Sequence, residues 1–234
     1  MLRKETVPPS TLELLIKIMQ DDLFKDFFLV GGTALSLQIG HRISNDLDLF
    51  SKDPFDKEVL LSDLESRYQF QLDFENKNTL KGEIGGVKVD LITHNYPLVK
   101  PLIFWEGIRM ASPADIAAMK LNAISGNGTR LKDFIDVAYL SSVLTLSEMV
   151  DAYEEKYASR NPAMVVKALD YHQDIHFDEK IDMLSGTYQW KNIEARLSQM
   201  TLHPKTLFSR TPDAKAEQEK LQKKKQDRRK GLGG

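Results

Sequence analysis

The sequence predicts an α+β fold whose second half is entirely helical. Three observations predict it. Short apolar or alternating runs between Phe27 and Thr93 read as strands interleaved with helical segments, and glycine pairs at Gly31-Gly32 and Gly85-Gly86 punctuate them. From Pro113 onward only helical spacing remains.

Along the chain, Ser10 to Met19 place Leu12, Leu14, Leu15, Ile18 and Met19 at helical spacing after Pro8-Pro9, with a Ser/Thr cap candidate. Phe27 to Val30 is a short aromatic and β-branched run that stops at Gly31-Gly32, as a buried strand does, and TALSLQI then resumes helical spacing. In NDLDLFS, alternation sets Asp46, Asp48 and Phe50 on one face and Leu47 and Leu49 on the other. A helix is expected between Asp53 and Tyr68, and QFQLDFE alternates as a strand. Thr79 to Ile84 and Val87 to Thr93 flank Gly85-Gly86, a link suited to a β-hairpin whose second arm turns Lys88, Asp90 and Ile92 one way. PADIAAMKLNAIS starts a helix with Ser112 as cap, Pro113 at its first position and Asp115 in its first turn; Gly126-Asn127-Gly128 closes it. LKDFIDVAYLSS, TLSEMVDAYEEKY, NPAMVVKALDYH and QWKNIEARLSQM follow as helices.

With 234 residues, 41% hydrophobic and 28% charged, the chain can bury a core in one large domain or in a domain with a helical extension. The absence of cysteine excludes disulfides, thiolate metal sites and cysteine nucleophiles. MLRKETVPPS lacks the apolar stretch of a signal peptide, and no run approaches the roughly 18 apolar residues of a membrane span, so a cytoplasmic location with no membrane partner is expected. The net charge of −2 hides a basic tail: Asp213 to Gly234 hold eight Lys/Arg against four Asp/Glu. That tail reads as a solvated end or as a non-specific phosphate contact.

Gly31-Gly32 between a strand and a helix N-terminus lets backbone N–H groups point at a phosphate, with the Thr33 hydroxyl beside them, but paired glycines serve tight turns equally well. Asp46 and Asp48 share one side of a largely apolar strand, where their repulsion calls for a cation; Mg²⁺, a hard ion that takes carboxylate oxygens and shares them with water and phosphates, suits it. Asp90 lies mid-strand in VKVDLIT. Three carboxylates on two strands downstream of a Gly-Gly turn match what two-metal phosphoryl transfer needs, with Asp90 as general base or shared ligand. Lys120 interrupts an apolar helix face formed with Ile116, Met119 and Ala123, which fits a buried phosphate contact and snorkelling alike. Arg42 in the loop before Asp46 can pair with phosphate or with a neighbouring carboxylate. Lys132 can bridge to Asp136 one turn away. His172, Asp174 and His176 have a metal-like look, but a third strong ligand is missing and a solvated helix end explains them better.

GGTALSL, HRISNDLDLF, VKVDLIT and PADIAAMKLNAISGNGTRLKDFIDV, in this order over Phe27 to Leu140, resemble the AbiEii/AbiGii toxin family of nucleotidyltransferases. The resemblance implies a polymerase-β-like nucleotidyltransferase fold, a small mixed sheet flanked by helices with a helical C-terminal portion. It divides the chain into a nucleotidyltransferase α/β domain over 1–111, a helical domain over 112–205 and a charged, flexible tail over 206–234. By position it implies Gly31, Gly32, Thr33 and Arg42 as nucleotide-binding, Asp46, Asp48 and Asp90 as ligands of Mg²⁺ (or Mn²⁺), Lys120 and Lys132 at the nucleotide phosphates, and Asp133 as a further catalytic residue, with Asp136 completing its motif. The implied activity is transfer of a nucleoside monophosphate from an NTP to a hydroxyl at the 3′ end of tRNA or another RNA, in the toxin of a bacterial toxin–antitoxin or phage-defence system, opposed by a cognate antitoxin. The alternatives are an acceptor on a protein side chain or small molecule, or a non-catalytic nucleotide-binding member of the fold.

Overall fold

The computed structural model describes residues 1–158 and 161–213, so all of the basic tail beyond Asp213 lies outside the described residues. In chain order the elements are α1 (Pro9–Gln20), β1 (Phe27–Leu29), α2 (Gly31–Ile39), β2 (Leu47–Ser51), α3 (Lys57–Tyr68), β3 (Gln71–Asn76), β4 (Thr79–Ile84), β5 (Val87–Thr93), β6 (Ile103–Trp105), β7 (Ile108–Met110), α4 (Pro113–Gly126), α5 (Leu131–Leu140), α6 (Leu146–Lys156), α7 (Pro162–Leu169) and α8 (Trp190–Leu202). The α+β reading is therefore correct, with strands confined to the first half.

The seven strands form one mixed sheet in the order β3-β4-β5-β2-β1-β7-β6. β2 runs parallel to β5 and antiparallel to β1, while β1 runs parallel to β7. Burial alternates as the sequence pattern requires. Leu47, Leu49, Val89 and Leu91 are buried beneath the sheet, whereas Asp48, Phe50 and Asp90 face the other way. β3, exposed along its whole length, closes one edge.

Two local features depart from the pattern. At α1 the cap is Pro8, with Pro9 in the first helical position, and Ser10 falls inside the helix; the missing N–H and preset φ of proline make a hydroxyl cap unnecessary there. The β6–β7 hairpin has no counterpart in the sequence pattern, because IFW and IRM are each too short to display a period. Glu106 and Gly107 both adopt positive φ in its turn, which matches the twist of a tight hairpin.

β7 leads through Ala111-Ser112 straight into α4, whose Ser112 side chain caps Asp115 N at 3.0 Å. Across this junction the apolar core is continuous, from Leu29 and Leu49 under the sheet to Ile116, Phe134 and Leu197 among the helices. α4 is the central helix, packed on α2, α5, α6 and α7. A buried ion pair fixes how the helices meet the preceding loop. Asp115 accepts hydrogen bonds from Val99 N (2.9 Å), Lys100 N (3.2 Å) and Lys156 Nζ (2.9 Å), and Lys156 also donates to the Pro97 carbonyl (2.7 Å).

Both side chains of that pair are almost inaccessible, so removing one strands the other's charge away from water. Asp115→Ala is expected to cost about 3–5 kcal/mol in urea unfolding. The double variant Asp115→Ala/Lys156→Met should recover a large part of the loss; equal destabilisation of the two variants would count against a stranded charge.

Candidate active site

The site forms where β1 hands over to α2. Val30 N donates to Asp48 O at 2.9 Å, so the chain turns into α2 directly beside β2. Gly31 makes that turn with φ +69, and a Cβ built there would collide with Asp48 Oδ2. A Cβ at Gly32 would collide with the Arg42 guanidinium. Glycine is therefore required twice: by backbone conformation and a carboxylate at Gly31, and by an arginine at Gly32. Thr33 does not line the cavity. It is buried beneath it, its hydroxyl donating to the Asp46 carbonyl and lying 2.9 Å from Ser44 Oγ.

Asp48 and Asp90 are register partners on the parallel pair β2–β5, and Asp46 sits just ahead of β2 on the same side. All three carboxylates line one cavity of about 490 Å³, together with Gly31 and Gly32. Lys120, Arg130, Lys132 and Asp133 close it from α4, α5 and the loop between them, and Lys81 and Lys88 from the β4–β5 hairpin. With Arg42, six cationic side chains and four carboxylates line the cavity, and Asp136 and Glu179 pair three of the cations from behind.

The carboxylates differ in environment. Asp90 is paired with Lys81, its register partner on β4, and Asp46 lies 3.9 Å from Lys132. Asp48 has no hydrogen bond or ion pair among the described residues. Burial pushes its carboxyl above 3.8, and repulsion from Asp90 and Asp46 adds to this against the attraction of Lys120 and Arg130. Among the described residues no three acidic or histidine groups stand within one coordination sphere. The donor set nevertheless fits Mg²⁺ or Mn²⁺, since it offers hard carboxylate oxygens on adjacent strands, one of them short of a counter-charge.

A buried ion network holds the opposite wall. Asp136 accepts Arg42 Nε at 2.7 Å and Nη2 at 2.9 Å in a two-pronged pair, and also contacts His41 Nε2 and Lys120 Nζ, each at 2.7 Å. Lys120 Nζ further donates to Asp133 at 2.6 Å. Burial pushes the Asp136 carboxyl up, but Arg42 and Lys120 outweigh it and hold the group well below the usual carboxylate range. Burial lowers His41, against the pull of Asp136, and leaves its imidazole neutral. Arg42 forms the carboxylate pairing and also lines the cavity. Lys120 is buried at the cavity wall instead of snorkelling to solvent.

Lys132 reaches Glu179 at 3.0 Å as well as Asp46, and does not bridge to Asp136. His172 bonds the Leu169 carbonyl and packs on Phe134 and Trp190, away from His176, whose backbone joins Thr129. The sequence reading did not single out Lys81, Lys88, Arg130 or Ser44 as site residues. Lys81 carried a signal: counting back from the two-residue turn Gly85-Gly86 sets it opposite Asp90. Arg130 gave none, since only the packing of α5 on α4 brings it to the cavity.

The model of the nucleotidyl transferase AbiEii toxin family, assigned to type IV toxin–antitoxin systems, matches residues 13–97 and 67–223. The chain belongs to this AbiEii family of nucleotidyltransferases. It is 33% identical over 168 residues, 69% of its own length and 81% of the other's, to the uncharacterised protein aq_aa25 of Aquifex aeolicus (strain VF5). Among solved structures, JHP933 from Helicobacter pylori superposes with a TM-score of 0.51 at 19% identity, covering 84% of this chain and 92% of that one. A candidate nucleotidyltransferase from H. pylori gives 0.51 at 19% identity over 83% and 94%. These likenesses establish the polymerase-β-like nucleotidyltransferase fold in this AbiEii member. No helix among its described residues is long and apolar enough to cross a membrane.

The Asp48 carboxyl gives a stability test. Its folded-state pKa is raised, so the folded chain incurs no penalty below 3.8, where the group is protonated folded and unfolded alike, and the full penalty above the folded value. Asp48→Asn is therefore expected to raise the Tm at pH 7 in the presence of a chelator, with the gain shrinking as pH is lowered toward 3.8. An unchanged or lowered Tm at pH 7 would contradict the environment described.

Proposed function

We propose that this enzyme transfers a nucleoside monophosphate from an NTP to the 3′-terminal hydroxyl of a tRNA, releasing pyrophosphate, and so acts as the toxin of a toxin–antitoxin pair. The observation that carries the reading is the in-register pair Asp48 and Asp90 beside the Gly31-Gly32 turn, in a cavity that six cationic side chains also line.

Asp46, Asp48 and Asp90 would hold the divalent ions, Mg²⁺ or Mn²⁺, which when bound screen the triphosphate and make the acceptor hydroxyl more acidic. The protein's own groups do the remainder. Backbone N–H groups at the N-terminus of α2, freed of side chains at Gly31 and Gly32, receive phosphate oxygens with the helix dipole behind them. Lys120 and Arg42, fixed in place by Asp136, hold positive charge where the β- and γ-phosphates lie, and Lys132 and Arg130 extend it toward the mouth. As the acceptor oxygen bonds to the α-phosphorus, the bond to the β-phosphate oxygen breaks and pyrophosphate leaves toward this cationic wall. The hydroxyl proton passes to Asp90, which Lys81 holds in place from the neighbouring strand. Asp133 sets the position of Lys120.

Membership of a toxin family supports a cognate antitoxin as partner, and the family description supports the toxin role. The cytoplasm, where NTPs and tRNA meet, is the proposed site of action.

Purified protein incubated with Mg²⁺, each labelled NTP in turn and total tRNA is expected to label tRNA. Asp48→Ala should reduce incorporation by about 10²–10³-fold or more while remaining folded, because the side chain contributes repulsion and no core packing. Label appearing only in added protein or small molecules would redirect the acceptor, and full activity of the variant would refute the site. Expression of the chain in bacteria should slow growth, and Asp48→Ala should not; harmless expression of the active enzyme would refute the toxin role.

A further inference from the structure

The carboxylates divide the cavity into two ends. β1 and β2 are antiparallel with Leu29 opposite Leu49, so the chain that continues into Gly31 and Gly32 runs back toward Leu47, away from Phe50. The triphosphate end therefore lies at the start of β2. Phosphoryl transfer is in line, with the attacking oxygen entering opposite the departing pyrophosphate. The acceptor must then come from the far end of β2 and β5, beyond Asp48 and Asp90.

That end is built of rings. One step along the two strands from the carboxylate pair, Phe50 is the register partner of Ile92, and both line the cavity. Two residues along a strand is about 6.6 Å, which sets this apolar row within a nucleoside's reach of the acids. Beyond the strand ends, His94 N donates to the Ser51 carbonyl at 2.8 Å, which carries the His94 ring to 5.0 Å from that of Phe50 at a 34° tilt. The Tyr96 ring follows 4.8 Å from His94, and Tyr96 is 40% exposed. Tyr157, just past the end of α6, supports the row, its hydroxyl 3.3 Å from His94 Nε2. Burial, aided by the nearby Lys156 charge, lowers His94 to about 4, so its ring is an uncharged plane at neutral pH.

A core cluster would be sealed. This one runs from the catalytic cavity out to solvent, with Phe50 and Ile92 open to the cavity and Tyr96 open to water. We propose that Phe50, His94 and Tyr96 form a shelf on which the terminal nucleobase of the acceptor strand stacks, presenting its hydroxyl to Asp90. The assignment rests on the transferase reading above and names a subsite within it. Stacking of a base on aromatic side chains tolerates any base, so the shelf would select for a single-stranded, unpaired end and not for sequence.

The test reads binding without turnover. The full chain is titrated, with no NTP present, into a short single-stranded RNA carrying 2-aminopurine as its 3′ base. Quenching of the probe is expected, and Phe50→Leu and Tyr96→Ala should each weaken binding by about tenfold, whereas Tyr96→Phe should bind as the parent does. A probe that binds unquenched, or ring-removing variants that bind within about twofold of the parent, would overturn the shelf. In the transfer assay the same variants should raise the KM for RNA and leave that for NTP unchanged. A rise in the NTP value alone would give the rings to the incoming nucleotide and overturn the proposal as well. Failure of the parent protein to transfer to any RNA would instead overturn the proposed function, while the quenching result stands on its own. Tyr96 is exposed, so Tyr96→Ala separates loss of stacking from loss of fold through an unchanged Tm.

Discussion

Two carboxylates side by side on parallel strands are the constraint from which the rest of this candidate site follows. Neighbouring strands lie about 4.8 Å apart, and like charges at that spacing repel by roughly 3 kcal/mol at an effective dielectric near 20. Asp48 and Asp90 are held there by the β2–β5 register, under which Leu47, Leu49, Val89 and Leu91 are buried; slipping the register by one residue would turn that apolar set to the cavity. The core thus keeps in place an arrangement that electrostatics alone would disperse. Parallel neighbours also need a long crossover, which here contains α3, β3 and β4. The last of these returns antiparallel to β5 and brings Lys81 onto Asp90. The connection that makes the repulsion possible supplies part of its relief and leaves Asp48 as the carboxylate without a partner.

The opposite wall solves a different problem, how to keep cations still. Lysine and arginine are flexible, and a loose cation would lose entropy on meeting phosphate. Asp136 takes Arg42 in both prongs and Lys120 at a third point, and the resulting charges are fixed before any substrate arrives. The same placement explains Gly32, since the Arg42 guanidinium occupies the space a side chain there would need. His41, neutral and packed on Tyr139, closes the network on its inner side.

Much of this was legible in the sequence, and the limits have physical reasons. Period-two alternation in NDLDLF and VKVDLIT placed Asp48 and Asp90 on the open face, because burial of the intervening leucines and valines admits no other arrangement. Gly85-Gly86 fixed the β4–β5 hairpin, and Ser112-Pro113 the start of α4. The β6–β7 hairpin was not legible, because three-residue strands carry no period. Nor was Thr33's position under the cavity, which depends on where the loop through Ser44 and Asp46 lands. For Lys120 and Arg42 the residue type announced an ion and left its partner open. Asp136 lies 94 residues from Arg42, and only the docking of α5 against α2 brings them together.

That docking makes the candidate site a property of both halves of the chain. Acids and the Gly-Gly turn come from the sheet, Lys120, Lys132 and Asp133 from α4 and α5, and Arg42 is a sheet-side residue whose buried charge is paired with Asp136 of α5. Without the helices, Arg42 would face an uncompensated burial; without the sheet half, Asp136 would lose two of its three partners, His41 and Arg42. Assembly of the cation wall and burial of the interface are thus one event. The geometry of the site inherits the rigidity of the core at the junction of α2, α4 and α5, where Leu35, Ile116 and Phe134 are wholly buried.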